Sequence, residues 1–143
     1  MHTEHLQNVR PGRVAAGWLV AVAVTSLILM VFLAARLLEG DRPVAEAVWT
    51  LIAVAAGFGG GGFFVGFRGV EAPVLHGVAL GITTLVMWLM LNILAVTFMP
   101  DAAWEALGPV LAAALLFLQM VAAVVGALLG YNLALRGRPG LSE

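Results

Sequence analysis

The chain has 143 residues, of which 62% are hydrophobic and 10% charged, and it carries a formal net charge of -1. Soluble domains hold about 45–50% apolar and about 25% charged residues, so a globule surrounded by water is excluded, and the mean hydropathy of +1.05 agrees. The charge balance lacks the basic stripe that nucleic acid requires, and the absence of cysteine and lysine removes disulfides, thiolate sites and Schiff-base chemistry.

Four segments reach the roughly 20 apolar residues that a bilayer crossing takes. They run from Val14 to Ala35, Val44 to Phe67, Pro73 to Phe98 and Pro109 to Leu135. The fold class expected is an all-α integral membrane four-helix bundle, with residues 1–143 as a single membrane domain. With the N-terminus in the cytoplasm, Arg10, Arg13, Arg68, Arg136 and Arg138 face inward, and only Arg36 and Arg42 face outward. The positive-inside rule therefore places both termini in the cytoplasm. The first segment reads as an uncleaved anchor, because its apolar core exceeds a signal peptide's and no small-x-small cleavage site follows it.

The segment before the first helix is polar. His2 and His5 lack a third metal ligand there and read as part of a tail. Trp18 and Phe32 mark the two ends of helix one, where aromatic rings favour the headgroup boundary. Thr25 and Ser26 lie mid-membrane, where their hydroxyls can bond the preceding turn's carbonyls.

Helix two ends in the stretch Gly57-Phe58-Gly59-Gly60-Gly61-Gly62-Phe63-Phe64-Val65-Gly66-Phe67-Arg68-Gly69. In water this would read as a loop, since glycine costs about 1 kcal/mol against alanine within a helix. In lipid the backbone must keep its own hydrogen bonds, so the glycines stay helical and admit close neighbours. At roughly 100° per residue, Gly59, Gly62, Gly66 and Gly69 share one face, and Gly57, Gly60 and Gly61 lie nearly opposite. A helix grooved on both sides fits between two others.

Arg68 and Glu71 can pair in the turn that follows, for less than about 1 kcal/mol. Helix three carries a stripe of Gly77, Gly81, Thr84, Trp88, Asn92 and Ala95. The stripe is expected to cross the Gly59/Gly62/Gly66 face of helix two. The loop from Pro100 to Gly108 reads as an interfacial turn with Trp104 dipping inward. Helix four has Gly126 and Gly130 at small-xxx-small spacing with Gln119 on the same stripe, and Arg136 follows it as Arg68 follows helix two. The two hairpins read as a degenerate parallel repeat.

Polar groups at membrane depth mark function, and here they are His76, Asn92, Gln119, Asn132 and a few hydroxyls. No acidic residue or arginine lies near the centre of any segment. That excludes a proton-coupled multidrug transporter, a voltage sensor and an aspartyl intramembrane protease, and no catalytic residue is assigned. His76 has two readings. It is either hydrogen-bonded near the inner interface, to Glu71 or a lipid phosphate, or an axial ligand to a pigment or haem-type macrocycle that Gly77 lets approach. Asn92 and Gln119 read as interhelical hydrogen-bonding groups, each worth about 0.6 kcal/mol.

The run Gly62-Phe63-Phe64-Val65-Gly66-Phe67-Arg68, a short turn, and then Val74-Leu75-His76-Gly77-Val78-Ala79-Leu80-Gly81 resembles small four-helix bacterial membrane proteins of uncharacterised families. In those, helix two ends glycine-rich with a basic residue and helix three opens with a His-Gly pair. The resemblance implies the architecture and a bacterial inner membrane, and it carries over no activity. The function expected is a non-enzymatic accessory or structural subunit, packed through Gly59, Gly62, Gly66, Gly77, Gly81, Gly126 and Gly130 within itself or against a larger membrane complex, such as a photosynthetic or respiratory one. The alternative is an oligomeric channel or transporter lined by Gln119, Asn92, Thr83 and Thr84.

Overall fold

A computed structural model describes residues 9–38, 40, 42–68, 72–98 and 109–137. The His2/His5 pair, Gly69, Glu71, the 100–108 loop and Arg138 lie outside the described residues, as do the side chains of Ala95 and Val96. Four helices follow in order: α1 (Pro11–Ala34), α2 (Pro43–Arg68), α3 (Pro73–Phe98) and α4 (Pro109–Arg136). Each is long and apolar enough to cross a membrane. With 24 to 28 residues apiece, they span about 36 to 42 Å at 1.5 Å per residue. That exceeds a hydrocarbon core of about 30 Å.

All four helices begin on proline, whose fixed φ suits the first helical position and whose missing N–H is no loss there. This is why α1 starts at Pro11, one turn before the apolar run begins at Val14. The end of α1 is also defined by its backbone. The Leu37 N–H donates to the Phe32 carbonyl at 2.9 Å and the Arg36 N–H to the Leu33 carbonyl at 3.0 Å. This is a Schellman stop, with Arg36 in the left-handed position at φ 59° where glycine is usual. Glu46 folds back on the start of α2, its carboxylate accepting from the backbone N–H groups of Gly40 and Arg42. Phe32 then meets Trp49 edge-on, with ring centroids 5.2 Å apart, which closes that end of the α1–α2 hairpin.

The packing is inside out by the standards of a soluble bundle. Leu27, Met30, Ile93 and Phe117 are each more than 60% exposed, whereas the buried positions are largely glycine and alanine. A helix in water turns its apolar face inward. In lipid the tails satisfy leucine, and association depends on how closely backbones approach.

α2 is the central helix. On one face Gly57 and Gly61 receive Ala21 of α1; a Cβ built on Gly61 would lie 2.7 Å from the Ala21 Cβ. On the other face Gly62 and Gly66 lie against the backbones of Ala123 and Ala127 of α4. Gly60 belongs to neither face. It is rotated by about 100° from Gly61, and a Cβ added there meets nothing within 4 Å.

The expected crossing of the α3 stripe with the Gly59/Gly62/Gly66 face is not what forms. α4 occupies that face, and α3 packs instead on an adjoining face of α4. A Cβ on Gly77 would lie 2.6 Å from the Val124 Cα, and one on Gly81 would lie 2.8 Å from the Met120 Cβ. Close approach is possible there because Gly77 and Gly81 carry no Cβ, while the small residues Ala123, Gly126, Ala127 and Gly130 of α4 are buried against α2.

α2 and α4 run parallel and meet with an internal two-fold relation. Gly62 lies on Ala123 and Gly126 on Gly59; Gly66 lies on Ala127 and Gly130 on Phe63. A shift of 64 residues carries Gly62 to Gly126, Gly66 to Gly130, Gly59 to Ala123 and Phe63 to Ala127, so these contacts exchange in pairs. The repeat stops at this pair. The same shift would set residue 81 against 125 and 129 by analogy with Gly17 against Gly61 and Val65, but Gly81 faces Met120. It also carries Arg68 to Asn132, one turn short of Arg136.

Candidate functional site

The start of α3 is built around His76, which is 1% exposed. Ala72 precedes Pro73 and sits in the left-handed region at φ 51°, a costly conformation for a residue with a Cβ. Its carbonyl accepts the His76 N–H at 3.2 Å and lies 2.9 Å from the His76 Nδ1. On the far side of the ring, the backbone N–H of Arg10 donates to Nε2 at 3.3 Å. An amide N–H can only donate, so Nε2 accepts and the ring proton sits on Nδ1. The imidazole thus links the start of α3 to the residue just before α1.

Glu71, one of the partners expected for His76, lies outside the described residues. In the structure its ring nitrogens face main-chain groups, and the Gly77 surface is covered by Val124. A macrocycle on Nε2 would have to displace the Arg10 N–H.

About two turns further along, Trp18 Nε1 donates to Thr84 Oγ1 at 3.2 Å, and Thr84 Oγ1 donates to the Leu80 carbonyl at 3.0 Å. Both links between α1 and α3 join residues 66 apart in sequence, as parallel helices in constant register require. Trp18 was expected only as a boundary aromatic. Its phase relative to Gly17, which faces α2, was the signal that it points into the bundle.

The remaining polar groups turn back on their own helices. Thr25 and Thr83 donate to the carbonyls of Ala21 and Ala79, each at 2.8 Å. Asn92 Nδ2 donates to the Trp88 carbonyl at 2.8 Å rather than to another helix. Asn132 is exposed. Gln119 differs, because its Oε1 is buried and has no hydrogen-bond partner among the described residues.

Two depressions accompany these groups. A groove of about 460 Å³ runs between α2 and α4, lined by apolar side chains, with Gly59, Gly60 and Phe63 on one wall and Leu118, Val121 and Val125 on the other. A smaller pocket of about 370 Å³ lies between the first turns of α1 and the last turns of α2. No protein-family model matches this chain, and no curated protein or solved structure matches it either.

Proposed function

We propose that this protein is a non-enzymatic multi-pass membrane protein that serves as an accessory or structural subunit, with both termini in the cytoplasm. The observation that carries the reading is the α2–α4 groove. Its α2 wall includes Gly60, the one described glycine of the α2 run with no atom near its missing Cβ. Every other described glycine from Gly57 to Gly66 has a neighbouring helix within 4 Å. A helix from another membrane subunit, or from a second copy of this chain, can approach the α2 backbone there as α1 and α4 already do elsewhere. The resemblance of the middle hairpin to bacterial four-helix proteins supports a bacterial inner membrane as its setting.

The test is co-purification from native membranes in mild detergent. Gly60→Leu is expected to remove the partner, or shift the homo-oligomer toward monomer, by at least about tenfold in association. The bundle itself should stay folded, because the added side chain enters open space. If the same assembly survives Gly60→Leu, the groove is not its interface.

A channel or transporter is the second reading, and the Gln119 carbonyl favours it. A buried acceptor without a partner costs about 1–3 kcal/mol, and a transiting polar solute or ion would satisfy it. Gln119→Leu should abolish flux in liposomes if this reading holds. Under the subunit reading it should leave assembly intact and raise stability by about 1 kcal/mol, since it removes the orphaned acceptor.

A further inference from the structure

The pocket between α1 and α2 is lined by Gly12, Arg13 and Ala16 from the first turns of α1 and by Phe64, Val65 and Arg68 from the last turn of α2. Its charged groups are both guanidinium. The Arg68 guanidinium carbon lies 4.8 Å from the centre of the Phe64 ring, which holds the side chain over the pocket wall. Glu46, the one acidic residue among those described, lies in the first turn of α2, at the opposite end from Arg68. The first turn of α1 holds no acidic residue, and no side chain caps it. It therefore presents the positive end of the helix dipole and the N–H of Gly12, which has no intrahelical partner. Val65, 1% exposed, closes the apolar floor.

We propose that this pocket binds a phosphate oxyanion, carried by the headgroup of an anionic phospholipid. Two guanidinium groups from different helices, each a planar fork of N–H donors, match the several acceptor oxygens of a tetrahedral phosphate better than the two of a single carboxylate. Basic pockets between membrane helices at the cytoplasmic side are suited to anionic headgroups. The inference rests on the membrane reading above, which puts the start of α1 and the end of α2 at the same leaflet. A bound headgroup would also tie α1 to α2 at the one end of the hairpin that lacks the Phe32–Trp49 contact.

Two measurements separate the two readings. Flotation of the purified protein with liposomes tests membrane insertion alone, and failure there overturns the membrane reading itself. Native mass spectrometry from detergent then compares phosphatidylglycerol with phosphatidylcholine on the inserted protein. The wild type should retain phosphatidylglycerol preferentially, and the Arg13→Gln/Arg68→Gln double variant should lose about thirtyfold in retention. Removing two arginines can also disturb topology, so Gly12→Leu is the second variant. It leaves every charge in place, meets nothing within 4 Å at its Cβ, and should fill the pocket and release the lipid as well. If millimolar inorganic phosphate displaces the lipid and is itself retained by the wild type but not the variants, the oxyanion site stands and its ligand is soluble. Retention that is equal for the two lipids, or unchanged in both variants, overturns the proposal.

Discussion

Gly62→Ala and Gly126→Ala are each expected to destabilise the bundle, whereas Gly60→Ala should stabilise it. Alanine gains about 1 kcal/mol over glycine in helix propensity, and that gain is common to all three sites. The difference lies in what the new methyl group meets. At Gly62 and Gly126 it falls on the main chain of the neighbouring helix, at Ala123 and Gly59 respectively. Backbone cannot rotate away as a side-chain tip can, so α2 and α4 must separate along their contact. Overpacking of this kind costs about 1–3 kcal/mol and sometimes more; with leucine the upper end or beyond is expected. Thermal unfolding in detergent micelles, followed by circular dichroism, reads all three variants. The two-fold relation adds a sharper demand: Gly62 and Gly126 occupy equivalent positions and should lose similar stability. If Gly62→Ala melts with or above the wild type, the α2–α4 contact does not run through these backbones.

The same positions show what the sequence could and could not settle. Four helices were legible from the apolar runs, and the phase of the α2 glycines indicated two opposed close-packing faces, one now seen to hold Gly57 and Gly61 and the other Gly62 and Gly66. A one-dimensional phase names faces and not occupants. Gly77 and Gly81 formed an equally good stripe, so α3 looked like the natural partner of Gly62, but α4 presents Ala123 and Ala127 together with Gly126 and Gly130 on one face, and that face is the one α2 meets. Alanines interleaved with valine and leucine do not stand out in an apolar run, and their contribution emerges only once α4 lies parallel to α2. Gly60 falls with Gly57 and Gly61 on one broad side of the helix, and phase alone does not say over which part of that side a neighbour sits.

The candidate site was less legible for a different reason. Its key partners are main-chain groups, and these carry no sequence signature. The Ala72 carbonyl reaches His76 because Ala72 takes a positive φ ahead of Pro73, and an alanine there gives no warning of it. The Arg10 N–H is available to Nε2 because Pro11 starts α1 directly after it. Asn92 shows the reverse case. Its residue type suggested an interhelical bond, and its amide instead found the nearer carbonyl of Trp88, four residues back.

His76→Ala is accordingly expected to loosen the junction between α1 and α3, at a cost of about 2–4 kcal/mol from the cavity and the abandoned Arg10 N–H. His76→Asn should recover part of the loss, since a side-chain amide can still donate to the Ala72 carbonyl but is too short to meet the Arg10 N–H. Hydrogen exchange gives the residue-level readout: the Arg10 amide should lose protection in both variants, while amides in the centre of α2, which touch neither group, should change only with global stability. The ligand reading makes a separable forecast on the same material. Protein purified from native membranes would show a Soret or near-infrared band that disappears in His76→Ala, and the Arg10 amide of the coloured wild type would already exchange freely, because one ring nitrogen cannot both accept that proton and hold a metal. A colourless wild type with a protected Arg10 amide leaves His76 as the group that sets where α3 begins against α1.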